Sequence, residues 1–413
     1  MAEDVVFCGT VVHATPSTPL ELLENAILGV KQGKVVFLDR RDRLQQRLKE
    51  HEIDSECVQQ LSRRQFLMPG LVDCHIHAPQ LPIQGVGTDM GLLDWLNTYT
   101  FPTEARFKSP EFARDAHYQS VRRALQSGTT AACYFSTIHR ETTTLLCDAV
   151  DDLGQRALVG KVNMDMSAPD YYRETTEQSV ADTSPLVTPV ITPRFAVSCT
   201  QELMTSLGQL AKERNVPIQL HPGKSTYTHV YDDAGLLGPN TILAHCVHVT
   251  DEELAILKER DCGVVHCACS NTTLRSGVMD MRRMLDHGIK LGLGTDVAGG
   301  YSPTILSAMR QASSEHGQQN GHTSDYQRLT MDEAFRLATL GGSTVLGMNC
   351  GNFEPGREFD ALVIDPEVKD TPLDLFTCDT ADTVVHKFLY TGDDRNMTQI
   401  YVQGRKVMDK THN

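Results

Sequence analysis

Between residues 67 and 345 the chain alternates short apolar runs with amphipathic stretches, and this alternation constrains the fold more than any other feature. The apolar runs include TTAACYFS (129–136), LVGKVNM (158–164), VPIQLH (216–221), TILAHC (241–246), GVVHCACS (263–270) and IKLGLGTD (289–296). Between them lie stretches of helical period at 109–128, 142–157, 199–215, 250–261 and 278–288. Strand, helix, strand at this spacing predicts a parallel sheet with crossover helices. About eight such units predict an α/β fold, a (β/α)8 TIM-type barrel. The doubly wound alternative lacks a glycine-rich phosphate fingerprint after its first strand.

The two ends read differently. β-branched residues with glycines between them mark strands at 5–14, 26–38 and 58–70, with a charged helix at 39–52. Strand texture returns at 357–366, 381–392 and 399–408. Like ends around a barrel predict one small β-sandwich domain built from 1–66 and 346–413, flanking a barrel domain over 67–345. The charge balance is 38 basic against 53 acidic residues, a net charge of −15. That argues against nucleic acid and against an anionic membrane as partners. The apolar runs fall short of the ~18 residues a membrane span needs. The N-terminus has no basic flank followed by an apolar core, so no signal peptide is expected. Twelve scattered cysteines without a CxxC predict reduced thiols and a cytoplasmic protein.

In a barrel, chemistry sits at the C-terminal ends of the strands. Those ends carry His75 and His77, then His221, His245, His266 and Asp296. Residues two apart on a strand share a face, so both imidazoles of His75-Ile76-His77 can reach one ion. Taken singly, an HxH pair is often only hydrogen-bonded, and the Asp of a GTD is often a turn or cap residue. Together they predict a metal site of N and O donors with a position open to water. Cys267 and Cys269 form a competing thiolate pair, but no second pair with zinc-like spacing accompanies them.

The passages MPGLVDCHIHA (68–78), GLGTDVAGG (292–300) and GNFEPGREFDALVID (351–365) resemble the amidohydrolase superfamily. LLDWLNTYTFPTEARF (92–107), TPRFAVSC (192–199), FRLATLGGSTVLG (335–347) and KFLYTGDDRN (387–396) are similar to its guanine deaminase family. The resemblance implies hydrolytic deamination of guanine to xanthine and ammonia. It implies one Zn2+ per chain on His75, His77, His221 and Asp296, with Asp296 also taking a proton from water and His245 steadying the attacking oxygen. It implies that Gln80, Arg194 and Phe195 hold the purine, beside His77, His221 and Asp296, and that the chain forms a homodimer.

The chain also departs from the pattern. The family places a glutamate, its proton shuttle, three residues after the histidine of the fifth strand; here the run is His221-Pro222-Gly223-Lys224, and the next carboxylates are Asp232 and Asp233. The stretch from His221 to His245 lacks a helical period, which predicts a return without a crossover helix. The segment 174–191 is short as well, and both read as internal deletions. Alternative readings are therefore a catalytically impaired relative that binds zinc or purine, and a deaminase of another amino-heterocycle. His266-Cys267-Ala268-Cys269-Ser270-Asn271 stands where the family has HCPxSN, with His266 and Asn271 retained.

Overall fold

The computed structural model describes residues 4–183, 190–222, 227–315 and 327–411. Its centre is a barrel of eight parallel strands. Leu71–His77 pairs with Thr129–Phe135, which pairs with Arg156–Gly160. The third strand continues through Val162–Asn163 onto Thr192–Pro193 of the fourth. Bridges from Ile191 to Ile218 and from Phe195 to His221 join the fourth strand to Ile218–Leu220. Thr241–Ala244, Gly263–His266 and Lys290–Leu293 follow in parallel. The ring closes where the Asp296 N–H donates to the His75 carbonyl (2.9 Å) and the His77 N–H to the Val297 carbonyl (3.2 Å).

Side-chain alternation then divides the layers. Ile242, Ala244, Val265 and Cys267 point inward, onto a cluster with Val72, Ala131 and Val345. Leu243 and Val264 point outward, into the core beneath the helices. Val345 reaches the interior from the short helix Gly342–Val345 and presses on Gly263, where a Cβ would stand 2.9 Å from it.

Two expectations are corrected. The fifth crossover does contain a helix, Tyr227–Asp233. Its polar and aromatic sequence hides the period, because tertiary contacts hold it: the Tyr231 hydroxyl donates to the His221 carbonyl (2.7 Å) and accepts from the Ala196 N–H (2.9 Å). Residues 381–392 are not a strand but the helix Ala381–Thr391. Thr383, Val384 and Val385 lend it strand texture. Its buried residues Val384, Val385, Phe388 and Leu389 nonetheless follow a helical stripe, and the Thr380 side chain caps it by accepting from the Thr383 N–H. The shorter-looking third crossover carries the helix Thr176–Thr183; the rest of its return, at 184–189, lies outside the described residues.

The two termini meet in one eight-stranded sheet. Phe66–Pro69 is its hinge, pairing with Thr10–Val11 on one side and Ala361–Ile364 on the other, so the sheet runs past residue 66 to Pro69. One face closes over Phe7, Phe359 and Tyr401, whose ring centroids lie 5.5–5.6 Å apart. Among the described residues no helix is long and apolar enough to cross a membrane.

Candidate metal centre

At the C-terminal end of the barrel, ligand atoms of His75, His221, His245 and Asp296 all lie within 4.8 Å of one another. His75 Nε2 stands 3.0 Å from His221 Nε2 and 3.2 Å from Asp296 Oδ1. His77 joins through the same carboxylate oxygen, with its Nε2 at 3.3 Å, and His245 Nε2 is 3.8 Å from Asp296 Oδ2. Phe135, at the end of the second strand, packs against the rings of His75, His77 and His221 at 4.8–5.2 Å.

Backbone geometry explains why these side chains converge. His245 follows the inward-facing Ala244, so alternation alone would send it outward. Instead His245 (φ 73°) and Asp296 (φ 48°) both adopt the left-handed region, a conformation that costs ~1–3 kcal/mol and recurs at functional sites. His266 keeps the alternation and is the correction here. It points into the helix layer, with Nε2 3.2 Å from Glu315 Oε2, and takes no part in the cluster.

The donor set suits a borderline divalent cation. His221 Nδ1 donates to the Arg194 carbonyl, and His245 Nδ1 to Asn271 Oδ1 (2.8 Å). Each Nε2 therefore presents a lone pair to the centre. Burial pulls His75 down to about 4 and His221 well below the ordinary histidine value. Burial alone would raise Asp296, but hydrogen bonds from His75 and His77 outweigh it and hold the carboxyl well below its usual range. A disfavoured protonated form at His75 and His221 and an ionised Asp296 both favour metal binding.

Two carboxylates that sequence reasoning passed over support the centre. Asp73 is buried and accepts from the Thr295 N–H (3.1 Å), the Thr295 hydroxyl (2.6 Å) and the His75 N–H (3.2 Å). It thereby clamps the first strand to the eighth, next to His75 and Asp296. Burial pushes its carboxyl up to about 7. The signal was the run Asp73-Cys74-His75-Ile76-His77, three polar side chains at period two.

The second is Glu104, fully buried in the helix Phe101–Ala105. Its carboxylate takes both terminal nitrogens of Arg194 (2.6 and 3.1 Å) and Nε2 of Gln80 (2.9 Å), while Gln80 Oε1 accepts from the Ala298 N–H (3.0 Å). Arg194 and Gln80 are thus brought together beside the centre as parts of one ion-paired network, not as two free side chains. Phe195 is half-buried next to them. Lys224 lies outside the described residues.

A family model described as the amidohydrolase family matches residues 66–407. The chain is 44% identical over 439 aligned positions to the guanine deaminase of Mus musculus, covering 98% of this chain and 96% of that one. It is 41% identical to the guanine deaminase of Dictyostelium discoideum, over 97% and 98% of the two chains. The chain belongs to the amidohydrolase family, on its guanine deaminase branch. Among solved structures, the guanine deaminase from C. acetobutylicum with guanine bound in its active site matches with a TM-score of 0.89 at 32% identity, over 98% of this chain and all of that one. The 439 aligned positions exceed the 413 residues present, so the mouse relative carries residues for which this chain has no counterpart.

Proposed function

We propose that the chain hydrolyses guanine to xanthine and ammonia, with one Zn2+ per chain held by His75, His77, His221 and Asp296. The observation that carries this reading is the convergence of the His75, His77, His221 and His245 ring nitrogens on the Asp296 carboxylate in a chain of this branch. When bound, the ion supplies an acidified water for hydrolysis. Asp296 Oδ2 receives a proton from the attacking water. His245, with 22% of its side chain exposed, orients that oxygen, with its ring fixed by Asn271. The purine lies against Phe195, with Arg194 donating to O6 and Gln80 beside it. The proton passed on from Asp296 leaves with the exocyclic amine as ammonia, and the hydroxyl proton left on C2 ends on the adjacent ring nitrogen as the C2 carbonyl of xanthine forms.

A second reading is favoured by Lys224, which stands where the resemblance implies a glutamate. Asp73 is occupied by Thr295 and His75, and Glu104 by Arg194 and Gln80. General acid–base help contributes ~10²–10⁴-fold, and turnover falls by up to that factor if nothing replaces it. Ammonia release from guanine, measured with zinc content by elemental analysis, tests both readings. Release from guanine but not adenine supports the first, tight guanine binding with negligible release supports the second, and absence of zinc and binding refutes both. All twelve cysteines are free thiols, which supports a reducing, cytoplasmic location. The homodimer that the resemblance implies is checked by sedimentation.

A further inference from the structure

We propose that Glu104 is a specificity-determining residue that acts through Arg194: by cancelling the guanidinium charge it tunes the purine pocket to neutral oxopurines and against ionised ones. The inference rests on the reading of Arg194 and Gln80 as the groups that hold the purine.

Arg194 is 2% exposed and Glu104 is fully buried, and two hydrogen bonds join them. A buried guanidinium without a counter-charge would create a strong anion site. The bound carboxylate removes that site while leaving Arg194 with further N–H groups to donate, since guanidinium carries five. Gln80 is tied to the same carboxylate. The pair is therefore a neutral donor surface, which suits the O6 of an uncharged base.

Of the titratable neighbours, Tyr172 and His139 leave this balance unchanged, while the Asp296 carboxylate adds a negative charge that also disfavours an anion. The groups that act on the pair are His77, Tyr172, His139 and Asp296. Burial raises the Tyr172 hydroxyl well above its ordinary value and lowers His139, so neither adds charge near neutral pH. The Phe101 ring lies 5.1 Å from the Arg194 guanidinium carbon and keeps that side dry.

The chemistry gives the charge preference a purpose. Guanine is neutral near pH 7, whereas xanthine, the product in the proposed reaction, ionises close to neutrality. A pocket with an uncancelled Arg194 would retain that product as its anion. Glu104 favours release.

The test compares xanthine with hypoxanthine, which stays neutral over the interval in which xanthine ionises. Calorimetric affinities are measured on the zinc-loaded protein below and above that ionisation, for the parent chain, Glu104→Gln and the double variant Glu104→Gln/Arg194→Gln. A unit charge within ~8 Å, at an effective dielectric of ~20, changes affinity for an anion by about tenfold or more. In Glu104→Gln the xanthine-to-hypoxanthine affinity ratio should rise at least that much above the ionisation and not below it. The double variant, with both charges gone, should keep the parent's pH dependence of that ratio while binding each ligand more weakly. It carries the test alone if Glu104→Gln does not fold. A uniform loss for both ligands at every pH in Glu104→Gln, or a double variant that gains anion affinity, would overturn the proposal. If the parent chain binds neither ligand, the oxopurine reading of the pocket itself fails, which is a different result from unaltered charge selectivity.

Discussion

Asp73 holds the seam of the barrel, and its replacement offers a sharp test of how the metal centre is built. Three buried donors converge on its carboxylate, at 2.6, 3.1 and 3.2 Å. Asp73→Ala leaves all three without a partner in a site that is 1% exposed. Each orphaned buried donor costs ~1–3 kcal/mol, so a loss of roughly 3–6 kcal/mol is expected once partial relaxation is allowed. That is a large share of the ~5–15 kcal/mol that holds a domain folded. Asp73→Asn behaves differently. Its amide oxygen still accepts the two N–H groups, and the Thr295 hydroxyl can rotate to accept from the amide nitrogen, so the cost is ~1 kcal/mol. Urea titration of the zinc-stripped protein measures both losses. Zinc affinity, by chelator competition, should fall in the same order, because Thr295 and His75 set the register of Asp296 against the histidines. Equal stability of the Ala and Asn variants, or an Ala variant within ~1 kcal/mol of the parent chain, would refute the clamp.

Replacing His75 with Ala should abolish zinc retention, since the ligands act together; undiminished zinc by elemental analysis would remove His75 from the centre. Tyr231→Phe orphans the Ala196 N–H and frees the His221 carbonyl. It should cost ~1–3 kcal/mol in a thermal melt and weaken zinc binding, and an unchanged melt would show that the fifth crossover helix is not pinned this way. For His386, burial acts downward, but the Asp382 carbonyl and the Asp332 carboxylate outweigh it and hold the imidazole above its ordinary value. Its stabilising effect is therefore present below the unfolded histidine pKa of ~6.5 and is lost as pH rises through the folded value. His386→Ala should erase that slope, as read from melting temperature against pH.

The legible part of this protein was the part written in local period. The barrel strands stand out because apolar runs recur between amphipathic helices, and their ends carry the residues of the centre. The histidines at 75 and 77 lie on one face, as their spacing implied, and both meet the same Asp296 oxygen. Where the period was weak or mixed, sequence reasoning failed. Helix Tyr227–Asp233 is short and polar and is held by the two bonds of Tyr231, so no amphipathic pattern announces it. Helix Ala381–Thr391 is rich in β-branched residues, and packing overrides their strand preference.

The sequence by itself determined the alternating architecture and the set of residues at the strand ends, because both follow from hydrophobic spacing and chain direction. It also determined that one of those ends carries no glutamate three residues after His221. Which of the histidines meet was decided only by tertiary structure. His245 enters the centre through a left-handed turn, whereas His266, identical in kind and in place on its strand, faces outward to Glu315. Tertiary structure alone also joined Glu104 to Arg194 across 90 residues and Asp73 to Thr295 across 222. A buried charge needs a partner at hydrogen-bonding distance, and only the closing of the barrel brings residues so far apart in the chain into contact.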